Sequence, residues 1–296
     1  MRPRRELTRN HPRTGDVRDL DAPRNARGLM RRHLCNDVRM TAQSKFEKQL
    51  SEGDSEPVEG WDFSWLKGRA TEQRPTWNYE EGLTRRISTV DAVLDIQTGG
   101  GERFADALSR ANNPPKSLAA TESWPPNVEI ARNNLGPFGV TVLEIQNDAD
   151  LPFENNSFDL ITSRHPTRTL WGEIQRVLRP EGSYYSQQIG AGTNSELTDF
   201  MMGPQPVSES QRMERAIALA TDVGLEVMDA REESLPVVFF DIGAVVYFLR
   251  KVIWTVPDFS TDKYRERLLL LHELIEREGS FRSHAQRYLI EARKLN

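Results

Sequence analysis

From about residue 92 onward, short apolar runs alternate with stretches in which apolar residues recur every three or four positions. "AVLDIQ" reads as a buried strand. "ERFADALSRA" then places Phe104 and Leu108 four apart on one helix face. "KSLAATES" is a second strand, and "PPNVEIARNNL" a helix opened by proline with Val128, Ala131 and Leu135 along one side. "VTVLEIQ" and "SFDLITSRHP" are strands three and four. "TLWGEIQRVL" carries a helical stripe of Leu170, Ile174 and Leu178, and "GSYYSQQIG" is a fifth strand. "ERAIALATDVG" is a helix closed by Gly224, followed by the strand "LEVMDAREE". "YRERLLLLHELIEREG" is a helix ended by Gly279, and "AQRYLIEAR" is the last strand. Seven strands alternating with helices of this length predict a doubly wound α/β fold, its sheet mostly parallel and covered by helices on both faces.

The chain before residue 92 follows neither period. Residues 1–50 hold few large apolar residues and read as a disordered basic extension. Residues 51–90 carry Trp61, Phe63, Trp65 and Trp77, too many aromatics for a linker, and predict an N-terminal helical and aromatic cap with a helix near 79–87. The domain proper is placed at 91–296, with "FFDIGAVVYFLRKVIWTVPDF" inside an insertion at about 236–262.

Charge sharpens this division. The 296 residues carry a net charge of −5, but the first forty contribute eleven Arg against five acids, which leaves −11 for the remainder. A body that acidic disfavours a polyanion partner, because phosphates are bound mainly through Lys and Arg. The lone Cys35 excludes an internal disulfide and a Cys-rich zinc module, so no metal is expected. No apolar run reaches membrane-spanning length and none follows the basic start as a signal sequence would, so a cytoplasmic protein is the expectation.

Candidate chemistry gathers at the predicted strand ends, where doubly wound sheets bind ligands. The first strand ends in "VLDIQTGGGERF", offering Asp95, Gln97 and the glycines Gly99, Gly100 and Gly101 ahead of a helix. Such a turn lets a ligand lie against bare backbone at a helix N-terminus. Glu122 ends the second strand twenty-one residues after Gly101, a spacing suited to ribose hydroxyls. The third strand leads to "NDADLPF" and the fourth ends in "SRHP".

In their order and spacing, "VLDIQTGGGE", "TES", "NDADLPFENNSFDLITS" and "EIQRVLRPEGSYY" resemble the class I, Rossmann-like S-adenosylmethionine-dependent methyltransferases. The likeness covers roughly residues 90–190, and residues 213–293 are similar to the closing part of that fold. It implies a seven-stranded sheet with an antiparallel last strand and S-adenosylmethionine as cofactor. Asp95 and the Gly99–Gly101 loop would meet the methionine end and ribose, Glu122 the ribose hydroxyls, and Asp148 with the Ala149 backbone the adenine. The family usually has glycine where Gln97 stands. That side chain either points away from the cofactor or adds a bond to its amino-acid end.

The sulfonium is already an activated methyl donor, so the protein must mainly align an acceptor and exclude water. His165 is the best-placed titratable group, a base or substrate contact, and Arg164 beside it could orient an anionic substrate. Tyr184, Tyr185, Gln187 and Gln188 lie on the fifth strand, with one member of each pair facing the pocket mouth or a helix layer. Trp61, Trp65 and Trp77 read either as a lid over substrate or as an anchor for the cap. The leading expectation is methyl transfer to a small molecule. An RNA base methyltransferase and a non-catalytic relative acting as an interaction subunit are the alternatives, and an NAD-dependent oxidoreductase fits least.

Overall fold

The computed structural model describes residues 43–60 and 62–296. The basic segment 1–42, most of the predicted extension, and Trp61 lie outside the described residues. Order begins earlier than the predicted boundary at 50: residues 43–55 are helical (α1), with Phe46 and Leu50 buried.

Eight strands form one sheet: β1 (Ala70–Glu72), β2 (Ala92–Asp95), β3 (Ser117–Glu122), β4 (Thr141–Glu144), β5 (Phe158–Arg164), β6 (Leu178–Ile189), β7 (Leu225–Phe239) and β8 (Phe281–Lys294). Their spatial order is β1-β7-β8-β6-β5-β2-β3-β4. The five strands β4-β3-β2-β5-β6 pair in parallel, whereas β8 pairs antiparallel with both β6 and β7. The chain winds outward from β2 through β3 to β4, then returns to β5 on the other side of β2. The crevice between the ends of β2 and β5 is therefore the switch point at which such sheets take ligands.

Helices close both faces. On one, α2 (Tyr79–Ile87), α3 (Glu102–Arg110) and α4 (Pro125–Leu135) bury Leu83, Phe104, Val128 and Leu135 against Val93, Leu160 and Leu289. On the other, α5 (Trp171–Val177) and α7 (Met213–Asp222) pack Trp171, Ile174 and Ala216 on Leu94, Ile161 and Tyr184. Local chemistry starts these helices where they are needed. The Asn78 side chain accepts from the Glu81 N–H at the head of α2, and two prolines open α4. Between α2 and the sheet, Tyr79 stacks on Tyr185 at 5.1 Å and Arg86 lies over the Tyr185 ring while holding Glu291.

The segment 236–262, read from the sequence as an insertion, begins inside a strand. Residues 236–239 continue β7, which pairs with β8 from Leu225↔Lys294 to Phe239↔Phe281 as a long two-stranded ribbon. Its far end leaves the α/β sandwich and supports a second core. There α1, α6 (Ser195–Met202), α8 (Ile242–Lys251) and α9 (Arg265–Glu278) bury Phe46, Leu197, Val245 and Leu271 against Leu235, Val237 and Phe281. The apolar run "FFDIGAVVYFLRK" is thus a strand end followed by a buried helix, capped by Asp241 accepting from the Ala244 N–H. The short strand β1, unforeseen in the sequence, pairs with the same end of β7 and makes eight strands of the expected seven.

Candidate active site

The glycine loop leaves β2 at Asp95, whose carboxylate is buried and accepts from the Thr162 hydroxyl at 2.6 Å. Burial is the chief cause that raises the Asp95 pKa from 3.8 to about 6. The hydroxyl of Thr162 opposes the shift and the Glu122 charge adds to it. Glu122, at the end of β3, is the loop's clamp. One carboxylate oxygen accepts from the Gly99 N–H at 2.7 Å, and the other accepts from the N–H groups of Ser123 and Trp124. Three backbone donors orient the carboxylate, with lone pairs to spare for hydroxyl groups. A Cβ added at Gly99 would project into open space, whereas one at Gly101 would meet Leu135 of α4 at 2.8 Å. Gly99 therefore keeps the loop bare toward the crevice, and Gly101 lets α4 pack beneath it.

Gln97 has φ +56°, a left-handed conformation that glycine adopts without strain. Its side chain reaches the loop after β5. The amide nitrogen donates to the Arg168 carbonyl at 2.6 Å, and the amide oxygen accepts from the Thr167 N–H and hydroxyl at 2.7 and 3.0 Å. The Thr167 hydroxyl in turn accepts from the Asn147 amide at 2.9 Å. Three strand-end loops are tied together in this way across the crevice. The cleft beneath, lined by Ile96, Thr121, Ile145, Ala149 and Leu170, holds about 20 Å³, room for a single water. Ala149 thus borders the cleft, while Asp148 beside it is exposed and does not.

The remaining predicted residues separate into two groups. His165 also has a positive φ, +56°, and its N–H donates to the Gln187 carbonyl. The Trp77 indole donates to Gln187 Oε1 at 2.9 Å, so the Gln187 amide nitrogen must face His165 Nε2, 3.0 Å away. That nitrogen accepts, which puts the ring proton on Nδ1. Burial, then the charges of Arg164, Arg287 and Arg103, hold the His165 pKa well below its usual value. The imidazole is neutral. The Tyr79 hydroxyl, donating to the Ser163 carbonyl, closes this side of the site.

Trp77, Gln187, His165 and Arg164 thus come together, and Trp65 does not join them. It packs on Tyr247 at 4.9 Å and under Arg69, anchoring the N-terminal segment on α8. Tyr184 points to the α5 side, its hydroxyl 2.6 Å from Ser163 Oγ and its ring edge-on to Trp171. Thr167, Asn147, Arg103 and Arg287 are the residues that sequence reasoning missed. Among the described residues no cluster of three or more His, Cys, Asp or Glu side chains could hold a metal, and no helix is long and apolar enough to cross a membrane.

The polar groups would fit S-adenosylmethionine: an oriented carboxylate at the end of β3, a buried carboxylate at the end of β2, and bare backbone at Gly99. Residues 94–186 match the family model described as "Methyltransferase domain". No curated protein matches the chain. Among solved structures, a candidate methyltransferase from Bacillus halodurans C-125 has 15% identity and a TM-score of 0.52, covering 73% of this chain and 99% of its own. The YcgJ protein of Bacillus subtilis has 19% identity and a TM-score of 0.50, covering 73% and 98%. At such identities these two show a shared fold. The match assigns residues 94–186 to the methyltransferase domain family, and the fold around them is the Rossmann-like fold of class I S-adenosylmethionine-dependent methyltransferases.

Proposed function

We propose that the chain transfers a methyl group from S-adenosylmethionine to a small-molecule acceptor that enters beside His165. The observation carrying this reading is the enclosure of that side by the chain itself: Trp77, 7% exposed, and Tyr79 lie over the ends of β5 and β6. A side closed by buried aromatics favours a compact acceptor over a polynucleotide. The acidic balance of residues 41–296 supports the same choice.

When bound, S-adenosylmethionine supplies an already activated methyl group. Glu122 would accept from the ribose hydroxyls, Asp95 would face the amino-acid end, and the Ile145–Ala149 side of the cleft would hold the adenine. Asp148, exposed at the rim, would contribute only from the edge. His165 is a positioning group in this arrangement, because its accepting nitrogen is already engaged by Gln187 and its other nitrogen carries the proton. Trp77 and Tyr79 exclude water from the acceptor side, which helps a displacement that needs alignment more than proton transfer.

The test has two arms. Calorimetry with S-adenosylhomocysteine should show one site on the wild-type chain, weakened by about 1.5–3 kcal/mol in Glu122→Gln, the range for a hydrogen bond to a charged group. Incubation of the full chain with labelled S-adenosylmethionine should then place label in a small-molecule metabolite pool rather than in total RNA. Label confined to RNA would overturn the acceptor class while leaving the cofactor assignment standing.

A further inference from the structure

The acceptor side of the crevice holds more positive charge than it neutralises. Arg164, at the end of β5, pairs across the sheet with Gln187, and Gln187 pairs with Leu289 of β8. Arg287 lies two residues from Leu289 on the same face, so the two arginines flank Gln187. Arg103, in the first turn of α3, acts on the same imidazole, His165. Two of the three guanidiniums are matched: Arg287 donates to Glu72 at 2.8 Å, and Arg103 lies 3.5 Å from Glu80. Arg164 makes no ion pair or side-chain hydrogen bond among the described residues, and its Nε is buried without an acceptor. The neighbouring Asp95 carboxylate is turned to Thr162.

A partly buried guanidinium with no paired acid is costly, and other partly buried arginines of this chain have one. Arg86 grips Glu291 with two nitrogens, and Arg176 grips Glu173 likewise. Even Lys251, buried without an acid, donates toward the carbonyls of Val58 and Glu59 and lies over the Phe63 ring. Burial first, then the Arg103 charge, push the Arg164 pKa down; Glu80 and Tyr79 oppose the shift and Arg287 adds to it.

We infer that Arg164, framed by Arg287 and Arg103, is an oxyanion-recognition site, and that the methyl acceptor is an anion whose carboxylate or phosphate seats there. The inference rests on the methyltransferase reading and narrows its substrate class. A planar, five-donor guanidinium matches an oxyanion bidentately, so the site selects as well as attracts. The anion fixes the acceptor beside His165, and a neutral analogue would leave Arg164 unpaired, a strong basis for rejection. The same chemistry could come from the carboxylate of the cofactor's own amino-acid end, and the test separates the two sources.

The full chain is saturated with S-adenosylhomocysteine, which fills the cofactor site with its own carboxylate. Inorganic phosphate is then titrated at constant ionic strength while the melting temperature is followed. Phosphate stabilises proteins generally by exclusion, so the readout is the saturable rise in the wild type that Arg164→Met lacks. The expected result is loss of that rise, or a midpoint at least tenfold higher, with S-adenosylhomocysteine affinity within twofold of the wild type. Arg164→Met should also melt no lower than the wild type, and Arg164→Lys should keep a weakened phosphate response. A wild type with no saturable response overturns the inference, as does a variant that keeps the full one. A phosphate response abolished by S-adenosylhomocysteine, with affinity for that ligand falling tenfold or more in Arg164→Met, assigns the arginine to the cofactor instead. A much lower melting temperature in both variants makes Arg164 structural and also overturns it. Failure of the wild type to bind S-adenosylhomocysteine at all, measured beforehand by calorimetry, refutes the parent reading separately.

Discussion

Asp95→Asn should make the folded chain more stable at neutral pH while weakening its cofactor site. Burial moves the Asp95 carboxyl from an ordinary pKa of 3.8 to about 6, despite the hydrogen bond donated by Thr162. Between these values the folded state holds a proton that the unfolded chain has released, so stability falls as pH rises from about 4 to about 6. The loss is complete above pH 6. A displacement of about two pH units, at about 1.4 kcal/mol each, makes the deficit about 3 kcal/mol at pH 7.5. Asparagine carries no charge at any pH, and its carbonyl can still accept from Thr162. Urea unfolding at pH 4, 5, 6 and 7.5 should therefore find Asp95→Asn equal to the wild type at pH 4 and up to about 3 kcal/mol more stable at pH 7.5. Calorimetry should find weaker S-adenosylhomocysteine binding in the same protein. A variant less stable than the wild type at pH 7.5, or a difference that does not change with pH, would refute an ionised carboxylate held here at a cost.

Other expectations follow from the loops and the packing. Thr167→Val deletes the hydroxyl shared by Gln97 and Asn147; a net loss of about 1 kcal/mol from the closed arrangement should speed S-adenosylhomocysteine association roughly fivefold in stopped flow, and an unchanged rate would show that this tie does not limit entry. The His165 imidazole should stay neutral, protonated on Nδ1, from pH 5.5 to 8; nitrogen chemical shifts that titrate near pH 6.5 would contradict the Trp77–Gln187–His165 chain. Gly82→Ala should destabilise the chain by about 1–3 kcal/mol, read by urea unfolding, because a Cβ there would lie 2.2 Å from the Tyr185 hydroxyl and 3.0 Å from its ring. Neutrality in that variant would mean that α2 can shift on the sheet.

The parts of the site legible in the sequence are those built from contiguous residues. Asp95, Gly99–Gly101 and Glu122 each follow a recognisable strand, and a strand end fixes where its last side chain sits. What was hidden depends on partners distant in the chain. Arg103 and Arg287 converge on Arg164 from α3 and β8, and nothing in their local sequence distinguishes them from solvated arginines. Gln97 stood out as a departure from glycine, but its bonds to Thr167 and Arg168 depend on how two loops meet. The fold shows the same division. The strand "LEVMDAREE" was visible by alternation, but its continuation through "SLPVVFF" was not. Its charged middle and Pro236 look like a strand ending, and only the pairing with β8 on one side and β1 on the other carries it on to Phe239. The helix after it is apolar nearly all round because it is buried in a second core whose other members are distant in the chain.

Several unfavourable features lie around the same crevice. Gln97 and His165 hold left-handed backbone, each at a cost on the order of 1–3 kcal/mol. Asp95 is ionised where burial resists ionisation, and Arg164 is charged where no acid meets it. Three of the four are not required by the sheet: a glycine at 97, an asparagine at 95 or an apolar residue at 164 would satisfy the same packing. Each becomes favourable only with a ligand in place, Asp95 with an ammonium group, Arg164 with an oxyanion, and the Gln97 loop with a cofactor beneath it. Electrostatic selection of both ligands is thus built into two residues that the fold alone would be more stable without.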